Sequence, residues 1–172
     1  SRRRREARRR TLSGSLGRVT FLGTGTSHGV PMIGCRCAVC TSADPRDQRL
    51  RPSVYVQRAA GGALVVDTPP DFRTQALRFG VLRVDAVVFT HPHADHLLGL
   101  DEIRRFNALQ RAVVPCYGNA ETIVEVRRVF AYAFEPRQAG GGVPQLELRA
   151  VTRPFEVAGT TVTPGDVLMT IE

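Results

Sequence analysis

Thr90-His91-Pro92-His93-Ala94-Asp95-His96 is the stretch on which the reading of this 172-residue chain turns. Three of the chain's four histidines fall within six residues, directly after the apolar run that starts at Asp85. Imidazole and carboxylate are the ligands that suit Zn²⁺, Mn²⁺ or Fe. A His-x-His spacing sets His91 and His93 on the same side of an extended turn. The Asp95-His96 pair two residues on turns toward a second position nearby. One short segment can thus serve two ions about 3.5–4 Å apart, the separation used by two-metal hydrolases. The bland alternative is a solvated loop that happens to be rich in histidine. Clustering at a strand terminus argues for a site instead.

Working outward, Asp85–Thr90 reads as a short strand buried on both faces. Ser53–Arg58 and Ala63–Asp67 are β-rich runs joined by Ala59-Ala60-Gly61-Gly62, a hairpin signal. Pro69-Pro70 breaks the chain, and Asp71 is placed to cap a helix running to Arg78 or Phe79. A helix is expected over Leu98–Gln110, a strand at Val113–Tyr117 and a helix at Ala120–Phe130. The glycine-rich loop Gln138–Pro144 leads to strands at Gln145–Val151, Pro154–Val157 and Thr160–Met169, and Arg18–Leu22 supplies one more near the start. This alternation makes the fold α/β (α+β) with a mixed sheet.

Cys35-x-Cys37-x-x-Cys40 is too compact for ordinary disulfides and has no secretion signal before it. Three thiols within six residues look like three quarters of a structural Zn site, which closes with a fourth ligand; free or oxidised thiols are the alternative. Cys116, inside an expected strand, reads as a small buried apolar residue.

The formal charge of +8 is unevenly spread. Residues 1–18 hold eight arginines against the single acid Glu6, and the other sixteen arginines meet fifteen acids. Residues 1–17 are therefore expected to be a basic disordered extension, or a tail that touches nucleic-acid phosphates. Residues 18–172 form the one domain. At 42% hydrophobic residues that domain has material for a core, so wholesale disorder is excluded. No apolar run approaches the roughly 20 residues that cross a bilayer. The sequence begins without Met and stops within a strand pattern, so a piece of a longer protein is expected.

His91-x-His93-x-Asp95-His96 matches the H-x-H-x-D-H signature of the metallo-β-lactamase superfamily. Phe21-Leu22-Gly23-Thr24-Gly25-Thr26-Ser27-His28-Gly29-Val30-Pro31, the Gly34-Cys35-x-Cys37-x-x-Cys40 loop and Val66-Asp67-Thr68-Pro69-Pro70-Asp71 narrow the match. Together they resemble the branch that holds the phosphoribosyl cyclic phosphate phosphodiesterases, similar in turn to tRNA 3′-processing endonucleases. The resemblance, running from about Arg18 to the end, implies a metallo-β-lactamase-like four-layer αββα sandwich, here without part of its C-terminal half.

The resemblance also assigns residues. His91 and His93 would hold one metal, Asp95 and His96 the other, and Asp95 would also orient the attacking hydroxide as a catalytic residue. Asp67 would brace the histidine loop from behind; a turn or cap aspartate is its plainer role. Cys35, Cys37 and Cys40 would hold one structural Zn with a later histidine. Relatives complete the catalytic site with a further His, an Asp and a last His, but this chain has no histidine after His96 and carries Thr170 near where one often stands. His28 and the Gly23–Thr26 loop are weaker candidates for substrate contact. Arg104 and Asn107 read as salt-bridged surface residues before they read as phosphate contacts.

The function implied is that of a metal-dependent hydrolase. It would act as a phosphodiesterase on a small cyclic or nucleotide-like diester through a hydroxide activated by two divalent ions, Zn or Mn. An RNA-processing nuclease of the same fold is the first alternative, and an inactive metal-binding remnant the second. The expected partner is a small phosphodiester, with RNA as second choice; no membrane contact is expected, a homodimer is left open, and the expected compartment is the cytoplasm.

Overall fold

Ala86–Val88, the strand that feeds the histidine motif, has every side chain buried. A computed structural model describes residues 17–135, 142–165 and 170–171. The strands are β1 (Arg18–Gly23), β2 (Ser53–Gln57), β3 (Ala63–Val66), β4 (Ala86–Val88), β5 (Val114–Gly118), β6 (Leu146–Ala150), β7 (Phe155–Val157), β8 (Thr160–Thr163) and β9 (Thr170–Ile171). The helices are α1 (Phe72–Phe79), α2 (Ala94–Leu97), α3 (Ile103–Gln110) and α4 (Ala120–Val129). The first six strands make one sheet in the order β1-β2-β3-β4-β5-β6, and β7-β8-β9 make a second. Pairing is antiparallel from β1 to β3 and parallel from β3 to β6.

Alternation along the central strands explains why both faces of the large sheet are covered. Val65 of β3 and Val87 of β4 enter a core with Phe72, Ile103, Phe106 and Val126 from the helices. Leu64, Val66, Ala86 and Val88 point the other way, into a second core with Val157 and Val162 of the small sheet. Each buried Val, Leu, Ile or Phe among them contributes about 1.5–3 kcal/mol by leaving water. Helices, large sheet and small sheet are three layers of the expected sandwich. The β2–β3 hairpin fits under the second sheet because Gly62 (φ +95°) has no side chain: a Cβ there would lie 2.4 Å from the Ala158 carbonyl oxygen.

Three local expectations need correction. Thr160–Met169 is not one strand: β8 stops at Thr163, and Val162 and Thr163 pair antiparallel with Ile171 and Thr170; residues 166–169 lie outside the described residues. The helix expected over Leu98–Gln110 is divided into a 3₁₀ turn at Leu100–Glu102 and α3. Asp71 stands at the N-cap of α1 without capping it. Its carboxylate accepts from the Arg51 backbone N–H and meets the Arg51 guanidinium at 3.0 Å. The basic extension, apart from Gly17, lies outside the described residues, as does most of the glycine-rich loop. No helix among the described residues is long and apolar enough to cross a membrane.

Candidate metal centre

Asp67 follows β3 with φ +61°, a left-handed conformation that Asp tolerates better than most residues. That kink turns its buried carboxylate toward the end of β4. Oδ1 accepts from the Thr90 backbone N–H at 2.9 Å. Oδ2 accepts from the Thr90 hydroxyl at 2.7 Å, and His96 Nδ1 lies 2.7 Å from the same oxygen. The backbone backs this up: the Thr68 N–H donates to the His96 carbonyl at 2.8 Å, and the Gly99 N–H donates to the Thr68 carbonyl at 2.9 Å. Ser53 Oγ donates to the Asp67 carbonyl at 2.9 Å, tying β2 into the same knot.

These bonds decide which ring nitrogens are free. With Nδ1 of His96 protonated toward Asp67, Nε2 keeps a lone pair in the neutral ring, whereas the charged ring pairs through Nε2 with Asp95 Oδ2 at 3.3 Å. The Thr90 hydroxyl proton is given to Asp67, so its oxygen accepts from His91 Nδ1 at 2.9 Å. Nε2 of His91 is free in the same way. The His91 ring centroid lies 4.6 Å from that of His93 and 4.0 Å from that of His96. His91, Asp95 and His96 are partly buried and His93 is exposed. Burial, helped by the charge of His96, holds the His91 imidazole below its ordinary range, whereas the bond to Asp67 raises His96.

His91 and His96 open on a cleft of about 640 Å³, whereas His93 lines a neighbouring hollow with Glu121 and Glu125, and Asp95 lines neither. Asp67, Thr90, His91 and His96 line the cleft with Ser53, Asn119 and Glu121. Asn119 and Glu121 were not singled out from sequence. Asn119 does carry a local signal, because it caps α4 by accepting from the Thr122 N–H at 2.8 Å. Thr90 is a further contributor, invisible as such because its partner lies 23 residues away.

The three loop cysteines are drawn together more tightly than the histidine motif, of which no three residues bring their ligand atoms within 4.8 Å of one another. Their sulfurs all lie within 4.8 Å of one another, and none is in a disulfide. The Met32 N–H donates to Cys40 Sγ and the Cys40 N–H to Cys37 Sγ, each at 3.4 Å. The Cys40 amide and the Cys35 thiol lower the exposed Cys37 thiol to about 7. Cys116 is fully buried in the helix-side core, and burial pushes its thiol up.

The weaker candidates fall elsewhere. His28 is exposed and is not among the cleft-lining residues, and Gly23 and Thr24 line a separate hollow. Arg104 pairs with Asp101 at 3.2 Å, as a surface residue does. Asn107 is not a surface residue. It is buried, donates to the carbonyls of Ala112 and Gln145, and accepts from the Gln145 N–H, joining α3 to the lead-in of β6.

A mixed sheet backed by a second sheet, with a His–Asp cluster at the central strand ends, is the architecture of the metallo-β-lactamase-fold class. The chain belongs to the β-lactamase superfamily, whose domain model matches residues 63–170. A solved diphosphatase of the PhnP family is 46% identical, with a TM-score of 0.75 over 86% of this chain and 56% of its own. A protein of Porphyromonas gingivalis named octanoyltransferase is 40% identical over 86% of this chain and 30% of its own length. Ribonuclease Z of Haloarcula marismortui is 27% identical over 88% of this chain and 39% of its own. The expected resemblance to the phosphodiesterase branch thus holds. The chain spans between about a third and a half of the relatives it matches.

Proposed function

We propose that residues 18–172 supply the HxHxDH half of a metal-dependent phosphodiesterase acting on a small cyclic or nucleotide-like phosphodiester. The observation that carries this reading is the Asp67–Thr90 network, which engages Nδ1 of both His91 and His96 and so makes Nε2 the nitrogen that a neutral ring offers to a cation. Neutral imidazoles locked in one tautomer beside a carboxylate are what a divalent cation requires. His91 and His93 would hold one ion and Asp95 and His96 the other, with Zn or Mn suited to the donors. Two such cations supply Lewis-acid polarisation of a phosphoryl oxygen and acidify a water near neutral pH. The chain's own part is to orient. Asp67 fixes the His96 ring, Thr90 fixes His91, and Asp95 would hold the attacking group by hydrogen bond. Cys35, Cys37 and Cys40 would hold one structural Zn, their three sulfurs being close enough to share an ion.

The similarity to ribonuclease Z favours RNA cleavage as a second reading. The name octanoyltransferase is not carried over, because the match covers 30% of that protein. The test is p-nitrophenolate release from bis(p-nitrophenyl) phosphate by the full-length gene product, with metal content measured in parallel. Turnover that requires added Zn²⁺ or Mn²⁺, with both turnover and bound metal lost in His93→Ala, is expected. Unchanged metal stoichiometry in that variant would sink the reading. Salt separates the two substrates: affinity for an RNA held at several phosphates falls steeply with salt, and affinity for a small diester does not.

A further inference from the structure

A hollow beside the free edge of β1 is left unused by the metal centre. It measures about 270 Å³ and is lined by Phe21, Phe79, Thr24, Arg46, Arg49 and Arg78 over a floor that includes Leu22 and Leu50. No acidic side chain is in that lining. Phe21 is 63% exposed and Phe79 42%, and both line the hollow together with three arginines. Arg46 is neutralised by a two-pronged pair with Asp44. Arg49 and Arg78 form no ion pair among the described residues. Arg49 Nε donates to the Arg46 carbonyl at 3.4 Å, and the Arg78 guanidinium carbon stands 5.8 Å from the Phe79 ring centroid.

Neither feature helps the chain by itself. Exposed phenyl rings forgo burial, and neighbouring guanidinium groups without counter-charges repel. A ligand with a flat π face and a negative charge a few ångströms away relieves both. Nucleotides have that shape, and single-stranded nucleic acids are bound elsewhere by aromatic platforms flanked by cations. An acidic peptide would answer the arginines but not the rings.

We propose that this hollow binds single-stranded nucleic acid, one base lying on the Phe79–Phe21 surface and the flanking phosphates on Arg49 and Arg78. The inference does not rest on the hydrolase reading, since binding is measured without turnover.

The experiment is fluorescence polarisation of a fluorescein-labelled octauridylate against the full chain, at several salt concentrations. Phe79→Leu keeps the apolar bulk and removes the π face; it should weaken binding about 5- to 10-fold. The double variant Arg49→Glu/Arg78→Glu should weaken it at least about 10-fold and reduce the slope of log K against log salt by about 1.4, two phosphate contacts on a single strand. The arginine-rich residues 1–18 are present in every protein and contribute the same background. Wild-type affinity in both variants would mean that those terminal arginines alone bind the probe, and would overturn the proposal. A neutral Phe79→Leu, with polyglutamate binding as well as the oligonucleotide, would overturn it too, because it would reveal an unselective anion surface. Far-UV circular dichroism and unchanged metal content establish that each variant is folded and that the metal centre is untouched.

Discussion

Replacing Asp67 by Asn removes a charge and one acceptor from the knot that aims His91 and His96, and changes almost nothing else. The backbone there has φ +61°, which Asn adopts as readily as Asp, so strain does not enter. The side chain is 5% exposed and serves three donors. An amide cannot satisfy them all. If its oxygen faces the Thr90 hydroxyl and His96, its NH₂ opposes the Thr90 N–H. If it is reversed, His96 must accept at Nδ1 and carry its proton on Nε2, the nitrogen needed by a cation. Losing one charge-assisted bond and leaving a buried donor unmet costs about 2–4 kcal/mol. Metal affinity should fall by about 10- to 100-fold, as for other partners that orient a ligand from behind. Urea unfolding of the metal-free protein reads the first quantity and competition with a chromophoric chelator the second. The deficit should also depend on pH. Asp67 raises the folded-state pKa of His96, so the protonated pair stabilises the metal-free fold fully below the ordinary histidine pKa of about 6.5 and loses that contribution as pH rises through the raised value. His91, whose folded pKa is lowered chiefly by burial, acts oppositely, and loss of the Asp67 charge lowers it further, which widens the gap on the acid side. The gap between wild type and the Asp67→Asn variant should therefore be widest below about pH 6.5 and narrow above it. A gap under about 0.5 kcal/mol at every pH, with unchanged metal affinity, would refute the bracing role.

Iodoacetamide at neutral pH should modify Cys37 first, because its thiol lies at about 7, and Cys116 only on unfolding. Added Zn²⁺ should protect Cys35, Cys37 and Cys40 together, as mass spectrometry of the labelled peptides would reveal; protection of Cys37 alone would contradict a shared ion. Gly99→Ala would set a Cβ 2.1 Å from the Pro69 carbonyl oxygen, forcing apart the strap that joins Thr68 to the histidine turn. Both stability and metal affinity should drop, and a purely local effect would leave the metal affinity at its wild-type value. Ala158→Asn should stabilise by about 1 kcal/mol, because Ala158 at φ +51° precedes Gly159 at φ +72° in the turn between β7 and β8, a place suited to Asn-Gly. An increase in Tm of about 2–4 °C is the expected reading for a chain of this size.

Much of this molecule is legible along the chain, and the illegible parts share a cause. β3 and β4 are readable because strands buried on both faces are continuously apolar, and α4 because Asn119 marks its start. The candidate metal ligands are readable because they sit within six residues. By contrast α2 has four residues, too few for a helical period, and starts at Ala94 in the midst of the motif, with His93 at its N-cap. The antiparallel return of β9 onto β8 is hidden because apolar residues continue on both sides of Pro164-Gly165. Asn107 is misjudged because a polar residue on an amphipathic helix reads as exposed until Gln145, 38 residues on, is brought beside it. The same holds at the centre itself. Local spacing names the donors, but which nitrogen of His96 keeps its lone pair depends on Asp67, 29 residues earlier and one strand over. The parallel pairing of β3 with β4 sets both strand ends at one edge, and only then does an aspartate after one strand meet a histidine after the next. Strand order thus turns a row of imidazoles into a directed set of lone pairs, and no reading of the motif alone contains that step.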